Sequence, residues 1–162
     1  MRYPRISVFI SRPLKLTASQ TRSLRLIEHY IAELGFDPKT VDAKMLMEFP
    51  FREVHALARV CSGGVVLGFI KQADLPERGK KSRASQTDPT PWNQIEAGML
   101  FSMGLPLLVF REPGVSGGIF DEASAGVFIH DMPKSLTKHK EESLREILLK
   151  WNAQVRTHYY RR

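Results

Sequence analysis

A tryptophan and a glutamate four residues apart, Trp92 and Glu96, stand in the segment Thr90-Pro91-Trp92-Asn93-Gln94-Ile95-Glu96-Ala97-Gly98-Met99. On a helix these two side chains lie one turn apart on a shared face. Pro91 suits the first helical turn, where its missing N–H has no partner to lose. With Ile95, Met99 and Met103 turned toward a sheet, Glu96 sits beside the apolar stripe, in the first two turns and next to a large indole. A carboxylate there is partly desolvated yet close to the positive end of the helix, and these two influences move its pKa in opposite directions. Such a group can serve as an acid, a base or an electrostatic stabiliser. The plainer reading is a surface glutamate that stabilises a helix start, and the residues alone leave both readings open.

The elements around this segment set where it must lie. Residues 5–11, Arg-Ile-Ser-Val-Phe-Ile-Ser, are β-branched and aromatic and predict a buried first strand. After Arg12-Pro13, a cap at Thr17 or Ser19 opens a helix with Leu24, Ile27, Tyr30, Ile31 and Leu34 at helical spacing, closed by Gly35. Phe36 to Val41 is a short second strand. Phe51, Val54, Leu57, Ala58 and Cys61 form the stripe of a second helix, broken at Ser62-Gly63-Gly64. Residues 65–70, Val-Val-Leu-Gly-Phe-Ile, are apolar throughout, as a central parallel strand should be. The Trp92–Glu96 helix follows and ends before Gly104. Leu105 to Phe110 and Val127 to Ile129 are further strands, and Glu141 to Val155 is a closing helix with Leu144, Ile147, Leu148, Trp151 and Val155 on one face.

Strands separated by helices imply an α/β fold, a flavodoxin-like three-layer sandwich whose central sheet is mostly parallel and has about five strands. In such sheets ligands bind at the carboxyl ends of the strands. That rule selects Ser11-Arg12-Pro13, the segment after residue 41, the stretch from Lys71 to Thr90, and Arg111 to Gly118. No glycine-rich phosphate loop occurs in any of them. The basic 72–90 stretch is read as a lid over an anionic ligand, with a solvated excursion as the alternative. Phe110, Phe120 and Phe128 read as core, and Tyr159-Tyr160 as a helix end packed on the body or a partner.

The 162 residues, of which 43% are hydrophobic, suffice for one domain with one core, covering 1–162. The closing helix runs into a polar, basic end, so a partner domain beyond Arg162 is one expectation. With one cysteine, Cys61, an internal disulfide and a cysteine-based metal cluster are excluded, and a buried inert thiol is expected. The histidines show no metal-ligand spacing, so no metal site is expected. No apolar run reaches membrane-spanning length and the start does not read as a secretory signal, so the expectation is a cytoplasmic protein. The net charge of +7 favours an anionic partner. Without basic helix stripes or interleaved aromatics, nucleic acid is disfavoured as the main partner, which leaves an anionic small ligand preferred.

Phe9-Ile10-Ser11 closing the first strand and Trp92-x-x-x-Glu96 opening a later helix resemble the TIR domain pattern, a strand ending Phe-Ile-Ser followed later by a Trp-Cys-x-x-Glu helix. Asn93 stands at the cysteine's place. Ile95-Glu96-x-Gly98 with Gly104-x-Pro106 before an apolar strand also resembles nucleoside 2-deoxyribosyltransferases and their nucleotide N-glycosidase relatives. Together the resemblances span residues 5–131. They imply cleavage of the N-glycosidic bond of NAD or a related nucleotide as substrate, without a separate cofactor. Glu96 would be the catalytic carboxylate facing the ribose, Trp92 would line the pocket, and Asn93 would reach ribose hydroxyls. Ser11 and Arg12 would meet the phosphate or sugar, and Asp74 would stand for the aspartate that the deoxyribosyltransferases carry after the third strand. The TIR likeness also implies self-association or an associated partner domain, and a place in bacterial antiphage defence. The alternative is a non-catalytic TIR-like module that senses a nucleotide or oligomerises.

Overall fold

A computed structural model describes residues 5–41, 50–71, 90–122 and 127–162. Asp74 and the expected lid over 72–90, apart from Thr90, lie outside these residues. In chain order the elements are β1 (Ile6–Ser11), α1 (Ala18–Glu33), β2 (Phe36–Lys39), α2 (Pro50–Val60), β3 (Gly64–Gly68), α3 (Pro91–Ser102), β4 (Leu107–Arg111), a single 3-10 turn (Gly118–Phe120), β5 (Ile129–Asp131) and α4 (Lys138–Tyr160). The five strands form one sheet in the order β2-β1-β3-β4-β5, every pair parallel. This is the flavodoxin-like order, in which the strand sequence reverses direction between β1 and β3. Among the described residues no helix is long and apolar enough to cross a membrane.

Strand parity divides the core in two. Successive side chains of a strand point to opposite faces. Ile6, Val8 and Ile10 of β1, Val65 and Leu67 of β3, and Leu108 and Phe110 of β4 therefore meet α1 and α4, through Ile27, Ile31, Leu148 and Trp151. Phe9, Val66 and Val109 face the other way and pack with Val54, Ala58, Ala97 and Leu100 of α2 and α3. Ser11 has the parity of Phe9, so β1 delivers its hydroxyl to the α3 side.

Local signals explain the ends of the elements. Thr17 and Gln20 form a reciprocal capping box at the start of α1, with Gln20 N donating to Thr17 Oγ1 at 3.2 Å and Thr17 N to Gln20 Oε1 at 3.0 Å. Gly35 ends α1 at a φ of +81°. The second strand stops at Lys39 rather than Val41. It is an edge strand, where Pro38 is tolerated because one row of N–H groups needs no partner. The last strand is shifted to Ile129–Asp131, and Phe128, expected in the core, is 87% exposed just ahead of the β4 pairing at Val109↔Ile129. Helix α4 starts earlier than Glu141, capped by Thr137, and runs on to Tyr160, which is 75% exposed rather than packed on the body. The basic residues of its end act structurally: Arg156 Nη2 donates to the Leu34 carbonyl at 2.9 Å and Arg162 Nη2 to that of Arg59 at 2.7 Å. Cys61 is buried, and burial pushes its thiol up to about 12, as expected of an inert cysteine.

The phase of α3 differs from the sequence reading. Its buried residues are Asn93, Glu96, Ala97 and Leu100, whereas Ile95 and Met99 are half-buried. Gly64 explains the rotation, because a Cβ there would stand 2.8 Å from Leu100 Cδ1. The bare strand start lets Leu100 press onto the sheet, and this turns Glu96 inward from beside the apolar stripe onto the stripe itself.

Two glycine substitutions test this packing with opposite signs. At Gly68 an added Cβ would come within 2.6 Å of the buried Phe120 ring. Gly68→Ala should therefore lower the unfolding free energy by about 1–3 kcal/mol. Gly98 is exposed on α3, with no atom within 4 Å of an added Cβ among the described residues. Gly98→Ala should raise the unfolding free energy by about 0.5–1 kcal/mol through helix propensity. Urea midpoints of the two variants read both, and a destabilised Gly98→Ala would contradict the placement of that face in solvent.

Candidate functional site

The carboxyl ends of β1 and β3 flank the point where the strand order reverses, the place where open parallel sheets bind ligands. Ser11 is the last residue of β1 and is fully buried. Its hydroxyl donates to Glu96 Oε2 across the gap between β1 and α3. Asn93, one turn before Glu96 and also buried, donates from Nδ2 to Ser11 Oγ at 2.9 Å. Thr90 caps the helix: Asn93 N donates to Thr90 Oγ1 at 3.3 Å, and Thr90 Oγ1 lies 3.1 Å from Asn93 Oδ1.

Glu96 is 6% exposed, and that remaining surface opens on a cavity of about 360 Å³. Arg12, Lys15 and Lys71 give the cavity positive charge, while Leu14, Val41 and Trp92 are its main apolar lining. The Trp92 ring is itself backed by Phe51 at 5.4 Å between centroids, with Phe51 half-exposed at the start of α2. Burial raises the Glu96 carboxyl from 4.5 to about 7; the Ser11 hydrogen bond and the Arg12 guanidinium pull it back in part. At neutral pH the acid is therefore poised between its two forms, a condition that suits proton transfer and charge stabilisation.

Arg12 Nη1 donates to the Pro13 carbonyl at 3.1 Å, and its buried Nε has no partner among the described residues. A second buried carboxylate, Glu112, directly follows β4. Its Oε2 accepts from Ile70 N at 2.8 Å and from Gln20 Nε2 at 3.0 Å, and Lys134 Nζ lies 3.9 Å from Oε1. These bonds pin the chain just before Lys71, so Glu112 is a brace for the strand end. Larger cavities exist. One of about 530 Å³ lies between β4, β5 and the start of α4, with His130, His139 and Lys134 in its wall. It lacks a buried acid held by a bond from another element, which is what distinguishes the smaller cavity. Among the described residues no group of three His, Cys, Asp or Glu could hold a metal ion.

The structure brings Ser11, Arg12, Trp92, Asn93 and Glu96 together at one strand edge. They divide into two roles. Arg12, Trp92 and Glu96 line the cavity, whereas Ser11 and Asn93 lie behind Glu96 and bond to it or to each other. Asn93 therefore occupies a different place from the ribose contact that the resemblance implies. Sequence reasoning missed Lys15, Leu14 and Phe51 as site residues. Lys15 and Leu14 had only their closeness to the end of β1 to mark them, and Phe51 reads in sequence as one more member of an apolar helical stripe. No family model, curated protein or solved structure matches the chain, so the TIR-like and deoxyribosyltransferase-like resemblance rests on the residues themselves.

The displaced acid makes stability depend on pH. The carboxyl titrates at about 7 in the folded chain against 4.5 for the free side chain. Between those values the native state holds a proton that the unfolded chain has released. Stability from this group is full below the lower value, falls as pH rises through the window and levels off above it. Glu96→Gln cannot ionise and should be the more stable protein above about pH 8, by on the order of 2–3 kcal/mol. Urea unfolding of both proteins at acid and alkaline pH reads the difference, and an identical pH dependence in the two would refute the buried, displaced acid.

Proposed function

We propose that the chain cleaves the N-glycosidic bond of NAD or a related phosphorylated nucleotide, with Glu96 as the carboxylate that faces the ribose. The observation that carries this reading is Glu96 itself: a buried acid, held from behind by Ser11, opening on a cationic and aromatic cavity at the switch point of the sheet. The chemistry needs that combination. As the bond from the anomeric carbon to the base nitrogen breaks, its electron pair leaves with the base. A nicotinamide leaving group starts as a cationic pyridinium and departs neutral, so no proton has to reach it. Positive charge then builds on the ribose, where a carboxylate stabilises it or bonds to the anomeric carbon. Water completes the reaction by adding its oxygen to that carbon and releasing a proton.

The remaining residues fit the substrate's other parts. Arg12, with its planar fork of donors, and the ammonium groups of Lys15 and Lys71 suit phosphate oxygens. Trp92, backed by Phe51, supplies a flat apolar wall for a base. A cavity of about 360 Å³ accommodates a mononucleotide half rather than an entire dinucleotide, which would leave the second nucleotide at the mouth.

Chromatography of concentrated protein incubated with NAD and a panel of nucleosides and nucleotides tests the reading. Release of free base is expected, reduced about 10²–10⁴-fold in Glu96→Gln. Because the ionised carboxylate carries the reaction, kcat/KM should fall about tenfold per pH unit below about 7, the value at which Glu96 titrates. Undiminished release by Glu96→Gln removes the acid from the mechanism. Binding without release from any of the nucleotides replaces the enzyme with a nucleotide-sensing module.

A further inference from the structure

The hydrogen bonds behind Glu96 have a direction that the donor chemistry of each group dictates. Thr90 Oγ1 carries one proton, and it faces the carboxamide oxygen of Asn93 at 3.1 Å. That oxygen only accepts, so Thr90 donates. The same hydroxyl accepts the Asn93 backbone N–H. With Oδ1 held by Thr90, the amide turns Nδ2 toward Ser11 and donates to Oγ at 2.9 Å. Ser11 Oγ then has its single proton left for Glu96 Oε2. The opposite sense would need the amide flipped, Ser11 donating to Asn93, and a protonated Glu96 donating to Ser11. In that arrangement the Thr90 hydroxyl loses the acceptor it now has and faces an NH₂ group.

We infer that Thr90, Asn93 and Ser11 form a one-way hydrogen-bond relay that favours Glu96 as a carboxylate, engages it through Oε2 and leaves Oε1 as the oxygen presented to the cavity. Oε1 takes no hydrogen bond from the described residues. All three are positioning residues. Asn93 and Ser11 are buried behind the acid, and Thr90, although it lines the cavity, acts through Asn93. The helix cap thus does more than start α3, since it orients the amide that orients the hydroxyl that holds the acid. Among the described residues, the Ser11 hydroxyl and the Arg12 guanidinium from the end of β1 favour the charged form against the burial that opposes it, and Lys15 and Lys71 add their charge to the same cavity wall. That Oε1 meets the sugar rests on the N-glycosidase reading; the control of Glu96 ionisation does not.

The two parts are separable by experiment. The side-chain carboxyl carbon of Glu96 in the full chain, assigned by the disappearance of its signal in Glu96→Gln, is titrated by carbon-13 NMR. Ser11→Ala should raise its midpoint by about one pH unit. Thr90→Val, which deletes the distant hydroxyl without touching Glu96, should raise it by a smaller step, and Thr90→Ser should restore it. A cap with only a structural role would lower stability in Thr90→Val and leave the titration where it was. An unmoved midpoint in Thr90→Val overturns the relay whatever Ser11→Ala does, and an unmoved midpoint in Ser11→Ala overturns its last link. Shifted midpoints with no base released from any nucleotide retain the relay and discard the N-glycosidase. Base release whose acid limb stays fixed in these variants does the reverse.

Discussion

Burying a carboxylate on the inner face of a helix removes it from water, and the hydrogen bond from Ser11 to Glu96 is the contact that makes this tolerable. Much of the surrounding structure is arranged around that bond. The parity of β1 brings Ser11 to the α3 face of the sheet, and the register of β1 against β3 sets Ser11 beside Val66. Gly64 lets α3 settle with Leu100 on the sheet, which turns Glu96 toward the strand ends. The Thr90 cap and Pro91 start the helix where its second turn comes level with Ser11. A shift of one residue in β1 would send the hydroxyl into the α1/α4 side of the core.

The two buried carboxylates show how environment separates structure from chemistry. Glu112 accepts from a backbone N–H and an amide on one oxygen and has a lysine beside the other. With both oxygens engaged it serves as a joint between β3, β4 and α1. Among the described residues, Glu96 has one hydrogen-bonded oxygen, and its open side faces cations and an indole. An acid that is buried, partly unsatisfied and open to a cavity stands ready for a ligand, and one that is fully bonded holds the frame. The frame and the site meet at Ile70-Lys71: Glu112 fixes the end of β3, and the next residue contributes a cation to the cavity.

Positive charge divides in a similar way. Arg156 and Arg162 close the carbonyl ends of other elements, and the Arg156 guanidinium also lies 5.5 Å above the Phe36 ring. These arginines hold the ends of elements together within the fold. Arg12, Lys15 and Lys71 gather at the cavity, so among the described residues its wall holds more cations than acids.

How much of this was legible in the sequence follows from the range of each interaction. Alternating apolar strands, the capping residues and the glycine helix stops are local signals, and they sufficed for the order of elements and the parallel α/β class. They also marked Ser11, Arg12, Trp92 and Glu96, because strand ends and helix starts are where such sheets bind ligands. They failed where a boundary depends on a neighbour. The end of β2 is set by its edge position, and β5 begins where β4 offers a partner, which leaves Phe128 in solvent. The rotation of α3 depends on Gly64, and Phe51 joins the site only because α2 packs beside α3. Residue order alone was enough to set an acid near the start of a helix, at the edge of a parallel sheet formed by its strand ends. That the acid faces inward, bonded to Ser11 with Asn93 behind it, emerged only from the packed chain, because contacts across more than eighty residues carry no local pattern.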